Sequence, residues 1–194
     1  MARGAPAQAR YTKDQYFELV KKGVLRPDDR VELLEGVVVA MAPHSPGHAS
    51  AIRKVSHALG RVFGDSGVIS VQLPLVAGRY SVPEPDVAVL PGGNEDYQEA
   101  HPTEALLVVE VADSSLAQDR ITKAALYARA GVPEYWIVNL RDDCVEVYRR
   151  LDRRARCYGE TRVVRRGGRL EPEALPGATI GADDLLPTRK PRSG

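Results

Sequence analysis

The pattern of apolar and polar positions predicts alternating helices and strands along most of the chain. Its most informative stretch covers residues 106–127. The stretch opens with the run LLVVEV, which is typical of a buried strand and contains a single acid, Glu110. A polar turn follows, and then Asp119, Lys123 and Tyr127 recur at four-residue spacing, which predicts a helix. Because an isolated carboxylate is costly to bury, Glu110 indicates a metal ion or a proton partner.

Further elements are predicted on both sides of this stretch. Helices are expected from Thr12, which forms a capping box with Gln15, to about residue 22, and over residues 49–63. Strands are expected over residues 30–41 (two, with a turn at Glu35-Gly36), 68–76, 83–90, 106–111, 134–140, 145–150 and 157–164. The order predicts one α/β domain over residues 11–187, with a central mixed β-sheet flanked by helices. Residues 1–10 and 188–194 are expected to be a flexible leader and tail.

Composition is that of an ordinary globular chain. The 194 residues carry a net charge of +1 and are 43% hydrophobic. Apolar runs fall well short of the roughly 20 residues that span a membrane, and the first ten residues lack a signal-peptide core. We therefore expect a cytoplasmic protein without a membrane partner. Cys144 and Cys157 fall on one predicted hairpin, where a disulfide is conceivable, but reduced thiols are expected in the cytosol.

Charge is strongly segregated along the chain. Residues 80–119 contain nine acids and neither lysine nor arginine, whereas residues 149–169 contain nine arginines and two acids. An acidic region attracts cations, and a basic region attracts phosphates. The arginine run is also typical of a solvated edge hairpin that is charged against aggregation, which is the interpretation we favour. Such an edge also leaves a homodimer open.

Two carboxylates are predicted to meet at one end of the sheet. Asp86 follows Pro85 at the head of a strand, and Glu110 lies 24 residues later in the next strand. Carboxylate oxygens supplemented by waters are the ligands that Mg²⁺ or Mn²⁺ takes. A helix that returns over its strand would carry Lys123 towards Glu110. A lysine there can hold a water or stabilise negative charge on a phosphoryl group.

Each candidate also has a purely structural interpretation. These interpretations are a turn after proline for Asp86, a solvent-facing strand end for Glu110, an ion pair with Asp119 for Lys123, a helix start for His48, an ion pair with Arg30 for Glu32, and a core position, which we favour, for Tyr127. The conjunction favours a functional site, because independent accidents would all have to coincide.

Motifs at and around these residues resemble a known family. Pro85-Asp86 followed by E-x-x at Glu110 resembles the PD-(D/E)xK nuclease superfamily. The segments VELLEGVVVAMAPHSPGH, EPDVAVL and LLVVEVADSS…DRITKAALYARAGVPEYWIV resemble the Uma-two family of restriction-endonuclease-like bacterial proteins. The resemblance covers about residues 11–150 and the PGATI segment near the end. AGVPEYWIV and E-V-x-x-S-S-x-x-x-D-x-x-x-K are specific motifs, whereas PD alone is weak.

The resemblance implies a restriction-endonuclease-like fold and Mg²⁺- or Mn²⁺-dependent hydrolysis of nucleic acid, with DNA as the expected partner. It also implies a role for each matching residue: Asp86 and Glu110 as metal ligands together with the carbonyl of Val111, Lys123 as the lysine moved from strand to helix, Glu32 as the acid in the family's E-L-hydrophobic-acid-Gly segment, and His48 as the histidine after Ser-Pro.

One position departs from the superfamily pattern. Ala112 occupies the place of the lysine in E-x-K. If Lys123 does not replace that lysine, metal binding would survive while cleavage would be weak or absent. The alternative function is then a catalytically weak or inactive nuclease-fold module that binds nucleic acid or a protein partner. A third hypothesis is metal-dependent hydrolysis of a small phosphoester.

Overall fold

The computed structural model of the chain describes residues 10–188, and the rest of the predicted leader and tail lies outside them. Helix α1 (Lys13–Lys21) begins at the predicted capping box of Thr12 and Gln15. Strands β1 (Val31–Leu34) and β2 (Val37–Ala40) form the predicted antiparallel hairpin. Helix α2 (Pro46–Phe63) begins earlier than expected, because Ser45 accepts a hydrogen bond from the His48 N–H and proline suits a first helical turn.

A mixed six-stranded sheet forms the centre of the fold. Its strands are β3 (Val68–Ser70), β4 (Val87–Leu90), β5 (Leu107–Ala112), β6 (Tyr135–Asn139), β7 (Cys144–Asp152) and β8 (Cys157–Arg165), in the spatial order β3-β4-β5-β6-β7-β8. Strands β5 and β6 run parallel, and every other pair is antiparallel. A parallel pair requires a crossover between its strands, and a helix supplies it here.

That crossover, residues 116–130, is called the site helix. It consists of α3 (Leu116–Gln118), a π-helical segment (Asp119–Lys123) and α4 (Ala124–Ala130). Ser115, which precedes the helix, donates from Oγ to Asp119 Oδ2 at 2.6 Å. The helix ends at Gly131, whose φ of 87° suits glycine.

The two faces of the sheet are covered by different helices. Helix α2 packs on one face through residues such as Val55 and Leu59, and the site helix packs on the other through Leu126 and Tyr127. Along β5, odd-numbered side chains belong to the α2 core, whereas Val108 and Ala112 belong to the site-helix core. Since side chains alternate along a strand, β5 places Glu110 beneath the site helix.

The strands predicted over 68–76 and 83–90 are shorter in the structure. Residues 71–86 instead run as irregular chain, joined by bonds such as those from Gln72 N–H to the Pro85 carbonyl and from Leu75 N–H to the Pro83 carbonyl. Proline has no N–H to give to a ladder, so the proline-rich sequence here interrupts both strands.

The C-terminal elements cover one edge of the α2 core. Strands β9 (Arg169–Leu170) and β10 (Ile180–Gly181) pair with each other, and the short helix α5 (Ala182–Leu185) follows. Cys144 and Cys157 lie at opposite ends of the β7–β8 hairpin and are both free, so the conceivable disulfide is absent. Within residues 10–188, each helix is too short or too polar to cross a membrane.

Candidate active site

Asp86 and Glu110 meet where β4 begins beside β5. The ladder pairs Val87 with Val109, so Asp86 comes opposite Glu110. The Asp86 N–H lies 3.4 Å from Glu110 Oε2, and the Val111 N–H donates to Asp86 Oδ2 at 2.8 Å. Both carboxylates are buried, so Glu110 is not the solvent-facing strand end of the structural interpretation.

Lys123 reaches the same place from the site helix. Its Nζ donates to Glu110 Oε1 at 2.9 Å and lies 3.6 Å from Glu32 Oε1, with only 7% of the residue exposed. Asp119, the alternative partner on the helix, accepts the hydroxyl of Ser115. The ammonium is therefore placed against the strand carboxylate.

Tyr127 serves both of the roles considered for it. Its ring is fully buried in the site-helix core, and its hydroxyl donates to Glu110 Oε1 at 2.6 Å. Glu110 therefore has two donors on one oxygen, Lys123 and Tyr127, and both come from the helix that crosses above it.

Two local features allow the helix to deliver its polar side chains. In a regular α-helix, a four-residue step overshoots a full turn by about 40°. The i→i+5 bonding of a π segment widens the turn, and Asp119 and Lys123 are both buried within it. Ala112, in the place of the superfamily lysine, is fully buried in the same core as Ala124 and Tyr127. Its small side chain leaves the helix close to the strand.

Glu32 and His48 complete the set of residues singled out in the sequence. Glu32 Oε2 accepts from the Glu84 N–H at 3.2 Å, and His48 Nε2 lies 3.1 Å from Asp86 Oδ2. The ion pair between Glu32 and Arg30 is replaced by the contact with Lys123. One pocket with a volume of about 170 Å³ is lined by all of the predicted site residues: Glu32, His48, Asp86, Glu110, Val111 and Lys123. We therefore find the five predicted side chains, and Val111, in one place.

Three residues in or next to the pocket were not predicted as site residues. The His44 ring stacks on His48 with centroids 4.4 Å apart, and Gln72 Nε2 donates to Asp86 Oδ1 at 3.3 Å. Arg30 and Gln72 both lie within 3.2 Å of His44 Nε2. The four-residue spacing of the two histidines in PHSPGH was the available signal for His44. Gln72 and Arg30 carried none.

Burial and charge set the protonation of the pocket. Burial, with a contribution from Asp86, raises the pKa of Glu110 to about 8, although Lys123 opposes it. Burial also favours the neutral form of Asp86, but His48 and the Val111 N–H outweigh it and lower the pKa of that carboxyl. For Lys123, burial is outweighed by Glu110 and Glu32, which raise its pKa and keep the ammonium charged.

The donor set of the pocket fits a divalent cation. Six acids line it against a single lysine: Glu32, Glu84, Asp86, Glu110, Asp113 and Asp119. Carboxylate oxygens are the ligands preferred by hard divalent ions, and neighbouring imidazoles suit transition metals. Four of the six acids, all except Glu84 and Asp113, are buried, and such a cluster of acids is unfavourable unless protons or a cation offset it. The pocket can therefore hold an ion beside a fixed ammonium.

Comparison with known proteins places the chain in a family. The model of the Uma2 family, described as "Putative restriction endonuclease", matches residues 14–185. The chain belongs to the Uma2 family. This confirms the family recognised from the PD and AGVPEYWIV motifs. None of the curated proteins matches the chain.

A solved structure is similar to this Uma2 chain over almost its whole length. It is a crystal structure described as "a putative nuclease belonging to DUF820" from Anabaena variabilis ATCC 29413, with a TM-score of 0.72 and 17% identity. The match covers 90% of this chain and 96% of that one. At this identity the likeness concerns the fold, and it confirms the nuclease-like α/β architecture expected from the sequence.

Proposed function

We propose that this Uma2 chain is a metal-dependent nuclease that hydrolyses phosphodiester bonds of nucleic acid. The observation that carries the proposal is the 2.9 Å contact between Lys123 Nζ and Glu110 Oε1. It puts a buried ammonium beside the paired carboxylates, although the strand position used by the superfamily is Ala112. The helix thus offers the group that the strand lacks.

Asp86 and Glu110, with the Val111 carbonyl, would hold Mg²⁺ or Mn²⁺ through oxygen ligands. When bound, such an ion activates water and neutralises charge on a phosphoryl group. Asp86 is suited to this role, because His48 and Val111 stabilise its ionised form. Glu110 would give up its proton when a cation arrives, since ligands bind metals in their deprotonated form.

Lys123 supplies a fixed positive charge for the reaction. Its burial between Glu110 and Glu32 keeps water from screening the ammonium, so its interaction with an anionic phosphoryl oxygen is strong. Glu32 forms a second ion-pair contact with Lys123. The Tyr127 hydroxyl donates to Glu110 and so fixes the orientation of that carboxylate. These contacts hold the charged groups in place before a substrate binds.

The alternative of a non-catalytic binding module receives less support. It was suggested by the alanine at position 112, and the position of Lys123 answers that point. Part of the arginine run is also engaged within the fold, since Arg149 pairs with Glu134, Arg150 with Glu160 and Arg166 with Asp143. These ion pairs favour the interpretation of a charged structural hairpin.

Cleavage assays with matched variants test the proposed activity. Purified protein should cut DNA or RNA when Mg²⁺ or Mn²⁺ is present and stop when EDTA is added. We expect Asp86→Asn and Lys123→Met to lose activity by about 100-fold or more, while circular dichroism shows an intact fold. Glu160→Gln, which removes an exposed acid of the β7–β8 hairpin, should leave the activity unchanged.

Two results would contradict the proposal. One is an absence of cleavage with every polymer and with both ions. The other is full activity in Asp86→Asn. Salt-dependent binding of nucleic acid without cleavage would instead identify the chain as a binding module.

A further inference from the structure

We propose that His44, His48 and Asp86 form a mixed nitrogen and oxygen ligand set that makes this pocket select a first-row transition-metal ion over Mg²⁺. The inference deepens the proposed function, because Asp86 belongs to both, but it concerns metal binding and can be tested without cleavage. Glu110 is not part of this set, whose three ligand atoms come from His44, His48 and Asp86.

The three ligand atoms are close enough to share one ion. They lie within 4.8 Å of one another, and His48 Nε2 is 3.1 Å from Asp86 Oδ2. Ligands bound at about 2.1 Å lie between about 3 and 4.2 Å apart, depending on the bond angle. Displacements of the ligand atoms by about 1 Å therefore suffice to bring all three around one ion. The two imidazole rings are stacked and inclined by only 14° to each other.

The hydrogen bonds of His44 show that one of its nitrogens carries a lone pair. Arg30 Nη2 lies 3.2 Å from His44 Nε2, and Gln72 Nε2 lies 3.1 Å from the same atom. A guanidinium only donates hydrogen bonds, so this imidazole nitrogen is an acceptor. An entering cation would take the place of these donors, and Arg30 is exposed, so its side chain has room to turn into solvent.

The residues around His44 are held in an unfavourable backbone conformation. Arg30 and Gln72 have φ angles of 47° and 52°, in the left-handed region that non-glycine residues rarely occupy. Both side chains contact His44, and Gln72 also donates to Asp86. Strain of this kind persists where the surrounding structure fixes it, and it concentrates at functional sites. Here Gln72 links two of the three proposed ligands, His44 and Asp86.

A purely supporting role for the histidines explains only half of the cluster. His48, Gln72 and the Val111 N–H satisfy Asp86, whereas His44 adds a second imidazole that the carboxylate does not need. Mg²⁺ prefers oxygen ligands and keeps several waters, whereas Mn²⁺, Co²⁺ and Zn²⁺ bind imidazole. Two imidazoles and one carboxylate therefore favour the transition metals.

Spectroscopy of the bound metal tests the inference. Co²⁺ titrated into the full chain should give visible d–d absorption that persists in a large excess of Mg²⁺, and spin-echo spectra of bound Mn²⁺ should show imidazole nitrogen coupling. We expect His44→Ala and His48→Ala each to weaken Co²⁺ binding by about tenfold or more. His57→Ala on the exposed side of α2 is the matched control and should change nothing. If an alanine variant does not fold, Co²⁺ affinity is measured in His44→Asn and His48→Asn instead, and nitrogen coupling in the wild type shows whether imidazole binds the metal.

The outcomes separate this inference from the proposed function. Co²⁺ binding no tighter than that of Mg²⁺, or wild-type Co²⁺ affinity in both histidine variants, would overturn it. Nitrogen-coordinated metal in a protein that cuts no nucleic acid would support the inference and defeat the nuclease proposal. Cleavage with Mg²⁺ that shows no preference for a transition metal and persists in both histidine variants would support the nuclease proposal and defeat this inference.

Discussion

Lys123 is the residue on which the chemistry of the pocket depends most. Its ammonium is buried against Glu110 and Glu32, whose carboxyl oxygens offset the cost of burying it. Removing one member leaves a buried polar or charged group without its partner, which costs more than the contact itself contributes.

Substitution of Lys123 should therefore lower stability in a way that depends on Glu110. We expect Lys123→Met to reduce the free energy of unfolding by about 3–5 kcal/mol, and the double variant Glu110→Gln, Lys123→Met to lose less than the sum of the two single changes. Urea unfolding in the presence of EDTA measures all three. Arg150→Met, at an exposed ion pair, should cost no more than about 1 kcal/mol. Additive effects at Lys123 and Glu110 would contradict this account.

Residue-level prediction rested on residues that stand out in their own segments, and the structure places these residues in one pocket. Glu110 interrupts an apolar strand, Asp86 follows a proline at a strand start, and Lys123 shares a helical face with Tyr127. Gln72 and Arg30 interrupt nothing, because their place at His44 depends on how two irregular segments run in space. The sequence contains no periodic signal for such positions.

At the scale of elements, the site helix is fixed to the sheet at two charged points. The ladders place Glu110, Ile137 and Glu146 in one row across β5, β6 and β7. Lys123 binds the first glutamate, and Arg120 binds the second through two contacts of 2.6 and 2.9 Å. The glutamates stand two strands apart, roughly 10 Å. The π segment between these contacts is thus held at both of its ends.

The Arg120–Glu146 contact should make stability depend on pH. Burial would raise the pKa of Glu146, but hydrogen bonds from Arg120 and Asn139 outweigh it and hold the pKa below its ordinary value of 4.5. Because the folded state favours the ionised form, the contribution is present above pH 4.5 and is lost as the pH falls through the folded pKa. We expect Glu146→Gln to lower the free energy of unfolding by about 1–3 kcal/mol at pH 7.

The free energy of unfolding, measured by denaturant titration at several pH values, tests this effect. The difference between Glu146→Gln and the wild type should shrink as the solution becomes acidic. Glu160→Gln, in the exposed pair with Arg150 of the same hairpin, should stay within about 0.5 kcal/mol throughout. A difference that is constant with pH would show that ionisation of Glu146 does not stabilise the fold.

Element-level prediction followed the same physical logic. Capping and helical periodicity predicted α1 and α2, a continuous apolar run predicted β5, and four-residue spacing predicted the site helix. The strands over 68–76 and 83–90 were extended too far, because apolar content does not reveal where prolines break a ladder. The π segment arises from docking onto Glu110 and Glu146, which lie outside the segment itself.

At the scale of the whole molecule, the acidic pocket and the tip of the arginine hairpin lie far apart. Glu110 shares its row with Glu146 and Val163, whereas the tip begins beyond Asp152 and Cys157. Six residues of strand separate Glu146 from Asp152, which corresponds to roughly 20 Å. The tip arginines therefore lie too far from the pocket to touch a phosphate bound there.

Replacing the tip arginines should thus affect only long substrates. We expect the triple change Arg153→Ser, Arg154→Ser, Arg156→Ser to leave cleavage of a tetranucleotide unchanged. For a long duplex it should lower the dependence of log affinity on log salt by about 0.9 for each phosphate that the tip no longer neutralises. Affinity measured against salt for both lengths tests this. An equal effect on the two substrates would place the tip beside the pocket, against the strand register.

The side chains of the pocket come from widely separated parts of the chain, and these separations determine the order in which the pocket can assemble. The contact of Lys123 with Glu110 spans 13 residues, that of Asp86 with Glu110 spans 24, and that of His48 with Asp86 spans 38. Closing a longer loop costs more entropy, and pairing of distant segments slows folding. The unit of β5, the site helix and β6 is expected to form early and to leave the ammonium against Glu110. Asp86 and His48 then join last, so a partly folded chain has no assembled pocket.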